Sequence, residues 1–431
     1  IATALVAWLG YQFAVEDWSS VYVADHARAG TNPLLRIAGL WAGAEGSLLL
    51  WLAMVAWAAV IATALAPEPA RAAVGRFGAA LTLGYGVVLA RTASPFERLP
   101  APANGGLGLQ PVLEHPAMIW HPPLLYGGLV GLLIPLLIGL GAAWSQPTSR
   151  WPRGRDRSTA TVVVGGALAV LTVGLATGAL WADVELGWGG FWAWDPIESA
   201  GLVAWLAGVA LLHSIRRSDA VSSTRVAITL TLLPGLAAVG ATTVTRIGVV
   251  ASVHAFADRP ALRVGLILVA AAVVAAVIGA VARADGPAGA ADRSGGTDDV
   301  VRGRRWAVTA LAIAAVFVAV GTYEPVAEAA TTGDRLAIAG AYYTRLLWPV
   351  TIGGAALAVR ADRRWWPAGA GAVLAAMVTP WAAGPFGFAV SLAGGAVAGS
   401  AVSLLGRRRP GALAHAGVGL ALVGVAGTMA A

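Results

Sequence analysis

Residues 38–66 read AGLWAGAEGSLLLWLAMVAWAAVIATALA, a stretch whose single charge is Glu45. A helix rises about 1.5 Å per residue, so ~20 apolar residues cross a hydrocarbon layer ~30 Å thick. Working outward from 38–66, apolar runs of suitable or nearly suitable length recur at 1–15, 72–91, 122–143, 159–182, 198–215, 225–244, 262–283, 306–322, 340–359, 365–380, 386–405 and 411–430. The thirteen candidates predict an all-α, polytopic transmembrane bundle forming one membrane domain over 1–431. Small residues suit close helix packing in lipid, and the chain holds 55 Gly. The chain starts at Ile1, inside an apolar run and without Met, so either a fragment or a missing upstream helix is expected.

Hydrophobic residues make up 58% of the 431 and charged ones 12%, about half the charge of a soluble domain. There is no Cys, hence no disulfide, no thiolate ligand and no thiol nucleophile. The net charge of +7 does not point to nucleic acid: every basic residue is Arg, mostly in short connections between apolar runs. If the connections alternate, 20 of the 29 Arg fall in the set 67–79, 144–158, 216–225, 283–305, 360–364 and 407–410. By the positive-inside rule this set faces the cytoplasm and the connections near 16–37, 91–121, 183–197, 245–263, 323–345 and 381–385 face outward. The Gly-, Asp- and Arg-rich stretch 284–305 reads as a cytoplasmic linker.

In a chain without Cys, His is the residue expected to ligate a haem iron, and six occur. His121 and His254 fall at the outer face, whereas His213 and His415 fall beside inner Arg clusters. Two pairs at matched depth suit two bis-His haems, because an ionisable residue in lipid is costly and is retained for a reason. His26 and His115 are also outer and are left over. A bland alternative is that each intramembrane His bonds a neighbouring helix.

The outer connection 183–197 lies within WADVELGWGGFWAWDPIE (181–198). Trp188, Phe191, Trp192 and Trp194 crowd into seven positions around Gly189 and Gly190. An interfacial aromatic belt is usually spread over many helix ends. Concentration in one Gly-containing loop suits the flat apolar face of a porphyrin. Asp195 and Glu198 are read as capping the next helix ahead of acid–base chemistry. Arg246, in the connection that carries His254, is a candidate propionate partner through bidentate bonds, or else a snorkelling interfacial Arg. Glu45 needs a partner, being a carboxylate beside an apolar run.

WGGFWAWDP (188–196) resembles the tryptophan-rich signature of the haem-handling proteins CcmF, CcmC and CcsA. GAEGSLLLW (43–51), WHPPLLYGG (120–128) and TRIGVVASVHAFA (245–257) are similar to CcmF strings in the same order. The resemblance runs to about residue 430. It implies a cytochrome c haem lyase component of the plasma (inner) membrane, with haem held at the outer face by His121, His254, Trp188, Trp192, Trp194, Asp195 and Arg246. It further implies an inner b-type haem (haem b) on His213 and His415 that donates electrons. Expected partners are the lipid bilayer, a CcmE-like haem chaperone, apocytochrome c and a CcmH-like thiol-reducing partner. Haem vinyl groups would meet the partner's C-x-x-C-H thiols and form thioethers. Two departures stand out within the chain, Ala44 for the family's usual His and Ser199 for its usual Asn; the family's large outer domain after the last His helix is expected to be missing or to be a separate chain. The alternatives are a non-enzymatic haem carrier or exporter, or a CcsA-like or nitrite-reductase-associated relative. A quinol-oxidising b-type cytochrome would need stacked His pairs on two helices, and a secondary transporter inverted repeats; neither pattern is seen.

Overall fold

A computed structural model describes residues 1–145, 155–186, 192, 194–215, 224–250, 252, 254–255, 259–284, 298–332, 342–343, 346 and 415. Among the described residues the helices are α1 (Ala2–Ala14), α2 (Val21–His26), α3 (Pro33–Ala38), α4 (Ala44–Leu65), α5 (Arg71–Thr92) and α6 (His121–Gly131). They continue as α7 (Leu133–Ser145), α8 (Arg155–Leu186), α9 (Pro196–Ile215), α10 (Thr224–Arg246), α11 (Pro260–Arg283) and α12 (Asp298–Thr332). No strand is formed among these residues, only an isolated bridge between Ser20 and Arg98. Eight helical segments are long and apolar enough to cross a membrane, with α6 and α7 together forming one of them. The protein is therefore a multi-pass helical membrane protein. The runs expected from 340 onward lie almost wholly outside the described residues.

Local chemistry explains the boundaries. α4 starts after an extended Gly43, carries Glu45 in its first turn, where a negative charge suits the helix dipole, and stops at Ala66 before Pro67. The run at 122–143 is broken between α6 and α7, because Pro135 has no N–H for the Gly131 carbonyl one turn earlier. α12 begins at Asp298, so the linker expected at 284–305 is helical over its last eight positions, while 285–297 lie outside the described residues.

The chain forms two compact units. Unit 1 comprises Ile1–Gly178, Pro196–Ala291 and Thr322–Ala337; unit 2 comprises Ala179–Asp195, Asp292–Gly321 and Ile338–Ala431. In unit 1, α4 packs on α5, α9 on α10, and α7 on α5 and α10. Two glycines permit the closest approaches. A Cβ on Gly78 would stand 2.6 Å from the Ala59 Cβ, and one on Gly128 would stand 2.5 Å from the Leu171 Cα. The core is lined by Leu48, Trp51, Val55, Tyr85, Leu132 and Leu136, with Trp51 edge-on to both Tyr85 and Tyr126.

One end of unit 1 carries a layer of short helices and loops. The loop 93–110 is laced to 18–29 by backbone bonds, among them Val21 N to Glu97 O (3.0 Å), Leu107 N to Ala24 O (2.7 Å) and Ala29 N to Gly105 O (2.8 Å). Arg28 pairs with Glu114 at 2.9 Å, Arg36 with Glu16, and Arg98 with Asp17 at 2.7 Å. The Ser19 hydroxyl donates to Asp17 at 2.5 Å; with Arg98 and Gln12 it holds the Asp17 carboxyl near pKa 2, below its ordinary 3.8. A folded pKa below the unfolded one contributes stability above about pH 4, lost as pH falls towards 2. Hydrogen exchange in 94–110 is expected to accelerate over that window, and Asp17→Asn to bring the faster exchange to neutral pH. Unchanged exchange in Asp17→Asn would refute the tie.

Candidate functional site

His121 is the first residue of α6, and Pro122 and Pro123 follow it in the first turn, where their missing N–H groups cost nothing. Its Nδ1 lies 2.8 Å from the Gly174 carbonyl oxygen of α8. A carbonyl only accepts, so in the neutral ring Nδ1 carries the proton and the lone pair sits on Nε2, the tautomer that binds a metal. The ring fits because residue 178 is Gly: a Cβ there would stand 2.3 Å from the His121 Cε1. His254 lies in a turn between α10 and α11, with its backbone N–H donated to the Ser252 hydroxyl at 3.0 Å. His121 and His254 both belong to unit 1.

Three of the other four His sort by the same test. His213, in the last turn of α9, has Nδ1 2.8 Å from the Val209 carbonyl, again placing the lone pair on Nε2. His26 does the same towards the Tyr22 carbonyl at 2.9 Å and stacks on the Tyr22 ring at 4.2 Å. His115 is opposite: its Nδ1 accepts from the Ala117 N–H at 3.1 Å, so its neutral ring carries the proton on Nε2. His415 is helical and exposed, and belongs to unit 2.

Arg246 corrects a boundary. The sequence places it in the connection after a helix ending near 244; in the structure α10 runs through it and its side chain is wholly buried. Nη1 donates to the Thr242 carbonyl (3.1 Å) and hydroxyl (2.6 Å), and Nη2 to Ser47 (3.1 Å) and Tyr126 (3.0 Å). Those bonds extend the helix by offsetting the cost of burying the charge. Glu45, also buried, pairs with Arg259, the residue before α11.

In unit 2, Trp194 adopts φ +59°, a left-handed backbone that a bulky aromatic rarely takes. Its ring stacks on Tyr343 at 4.5 Å and 2°, and meets Trp192 edge-on at 6.1 Å. Tyr342 stands edge-on to Tyr343 and donates to the Phe317 carbonyl at 3.1 Å. Strain of this kind clusters at functional sites. Sequence reasoning missed Tyr343; the adjacent tyrosines 342–343 were its only mark. Asp195 is buried just before α9, and Glu198 sits in the first turn of α9. Trp188 and Phe191 lie outside the described residues.

Comparison with known proteins follows the same residues. The profile of the cytochrome C assembly protein family matches residues 41–236, the span that includes α4, His121 and the tryptophan stretch. The cytochrome c-type biogenesis protein CycK of Bradyrhizobium diazoefficiens is 30% identical over 95% of this chain and 68% of its own. The chain belongs to the CcmF/CycK family of cytochrome c-type biogenesis proteins. CcmF and the probable biogenesis protein NrfE of Escherichia coli are each 36% identical over 58% of this chain, covering 39% and 45% of their own lengths. The chain spans about two fifths of the length of several curated relatives. A solved structure titled cytochrome c heme lyase CcmF superposes over 99% of this chain and 68% of its own, with TM-score 0.71 and 20% identity, a likeness of fold. The CcmF-like family assignment thus rests on CycK, and the all-helical membrane fold on the superposition.

Proposed function

We propose that this CcmF-family chain is a cytochrome c haem lyase component that holds haem at the outer membrane face for thioether attachment to apocytochrome c. The observation that supports the reading is the His121 tautomer, set by the Gly174 carbonyl for metal binding, with His254 on the connection that begins after Arg246, whose guanidinium donates to Tyr126 of the same helix α6. The two residues stand 133 positions apart (254 minus 121), so a haem site shared by both would have to be built by tertiary structure. Haem is the substrate there. Each apocytochrome thiol adds its S and H across a vinyl C=C, so two thioethers form and nothing leaves. The thiols come from the partner, in keeping with a chain that has no Cys.

The roles of the chain's own residues follow. His121 and His254 are proposed as axial ligands, fixing the iron while the porphyrin edge is presented. Trp188, Trp192 and Trp194 are proposed to contact the porphyrin plane, and the strained Trp194 backbone with its Tyr343 stack supports a pre-set aromatic surface. Asp195 joins that group. For Arg246 a propionate contact is proposed on the chemistry of its guanidinium; its observed bonds go to Thr242, Ser47 and Tyr126. His213 and His415 are proposed to hold haem b, which when bound supplies electrons to the outer iron. A CcmE-like haem donor and a CcmH-like thiol reductant are the proposed partners.

The test is covalent cytochrome c formation in a cell depending on this chain: it should yield cytochrome with the stretch intact and fail without the outer His pair. Membrane orientation is tested separately. Because the chain lacks Cys, a single Cys at position 155 gives labelling without background. An impermeant thiol reagent added from outside should leave it unlabelled and label position 185. Labelling at 155 would invert the proposed topology.

A further inference from the structure

Residues 247–258 connect α10 to α11 and carry His254, and both of their ends are tied to the first turn of one helix. At the near end, buried Arg246 donates to Ser47 at 3.1 Å. At the far end, Arg259 pairs with Glu45. Glu45 and Ser47 are two residues apart on α4, behind the extended Gly43. Between those ends the described residues add weak local ties, Ala255 N to Ser252 O at 3.3 Å and His254 N to the Ser252 hydroxyl at 3.0 Å, and Gly248 has φ +65°. The same Arg246 nitrogen donates to Tyr126 at 3.0 Å, five residues along α6 from His121. Trp51 of α4 packs edge-on against that Tyr126 ring at 6.0 Å.

We propose that Glu45 and Ser47 are positioning residues, forming with Arg246, Arg259 and Tyr126 a polar truss that fixes the His254 segment relative to α4 and to α6, the helix that His121 opens. The argument is one of obligation. The Glu45 side chain is 10% exposed, and a carboxylate so placed needs a counter-charge, which Arg259 provides from a partly exposed position. The pair therefore fixes where α11 begins relative to α4, and so where the His254 segment must end. Arg246 fixes where it starts. A ligand on a connection held at both ends loses less freedom on binding than one on an open loop. The inference deepens the reading above and rests on His254 as a ligand, but its first readout needs no haem.

In the Cys-free chain, spin labels at Ser94→Cys and Ala255→Cys report the distance from the laced outer loop to the His254 segment. The parent should give a narrow distribution. Glu45→Gln and Arg259→Gln should each broaden it, and the exchanged pair Glu45→Arg with Arg259→Glu should narrow it again. Arg259→Gln guards against a misfolded Glu45 variant, since that side chain is 48% exposed. A parent-like distribution in Arg259→Gln overturns the truss, as does failure of a folded exchange variant to restore it. Hemin titration of the same proteins supplies the second arm: Arg259→Gln should weaken outer-site affinity ~10–100-fold, the range for groups that orient a metal ligand. Broadening with unchanged hemin affinity would keep the tether and refute the link to haem.

Discussion

His121→Ala, His254→Ala and Trp192→Ala are each expected to lower covalent cytochrome c formation at least about tenfold while leaving the inner haem spectrum intact. The size follows from what is lost: groups that merely orient a ligand are worth ~10–100-fold in metal affinity, and the ligand itself no less. His121 should be the more severe, because its ring occupies space that only Gly178 leaves open and is aimed by the Gly174 carbonyl. Added imidazole should restore part of the His121→Ala loss by filling the vacated axial position. Trp192→Phe should keep most of the activity, since the proposed contact needs an aromatic face and not an indole N–H. Covalent cytochrome c yield in a cell depending on this chain, with membrane abundance of each variant as control, is the measurement. Normal maturation in the double variant lacking both His121 and His254 would remove the proposed lyase mechanism.

The second large effect is the mirror image. The purified protein should show a reducible b-type absorption spectrum, and His213→Ala or His415→Ala should abolish or shift it. His213 has its Nδ1 on the Val209 carbonyl, so Nε2 carries the lone pair that a haem iron needs. If His213 and His415 hold haem b as proposed, replacement by Ala would remove one of the two nitrogen ligands, and such a loss changes spin state and colour. His115 serves as the contrast: its Nδ1 accepts from Ala117, its lone pair is engaged, and His115→Ala should leave the spectrum unchanged. Outer variants losing maturation but keeping colour, and inner variants losing colour, is the separation that distinguishes two sites from one. Wild-type spectra from both His213→Ala and His415→Ala would refute the inner site.

What the sequence by itself determined is the local part. Length and apolarity place α4, α5 and α8 to α11 within a few residues, because a segment crossing lipid must satisfy its own backbone and bury few charges whatever it packs against. The strings around Glu45, His121, Trp192 and His254 carry the family likeness for the same reason: each is contiguous. The run 122–143 reads as unbroken on hydropathy, and the break ahead of Pro135 appears only in the structure. Only the tertiary structure decided the pairings. Glu45 meets Arg259 across 214 positions, Trp194 meets Tyr343 across 149, and Arg246 passes from a presumed loop into the core because Ser47 and Tyr126 wait there for its protons. The tautomers of His26, His115, His121 and His213 belong to the same class, since each depends on which carbonyl or N–H the fold brings to Nδ1. Hydropathy is a property of one segment and its solvent, whereas a hydrogen bond or an ion pair is a property of two segments, and no local pattern records the second.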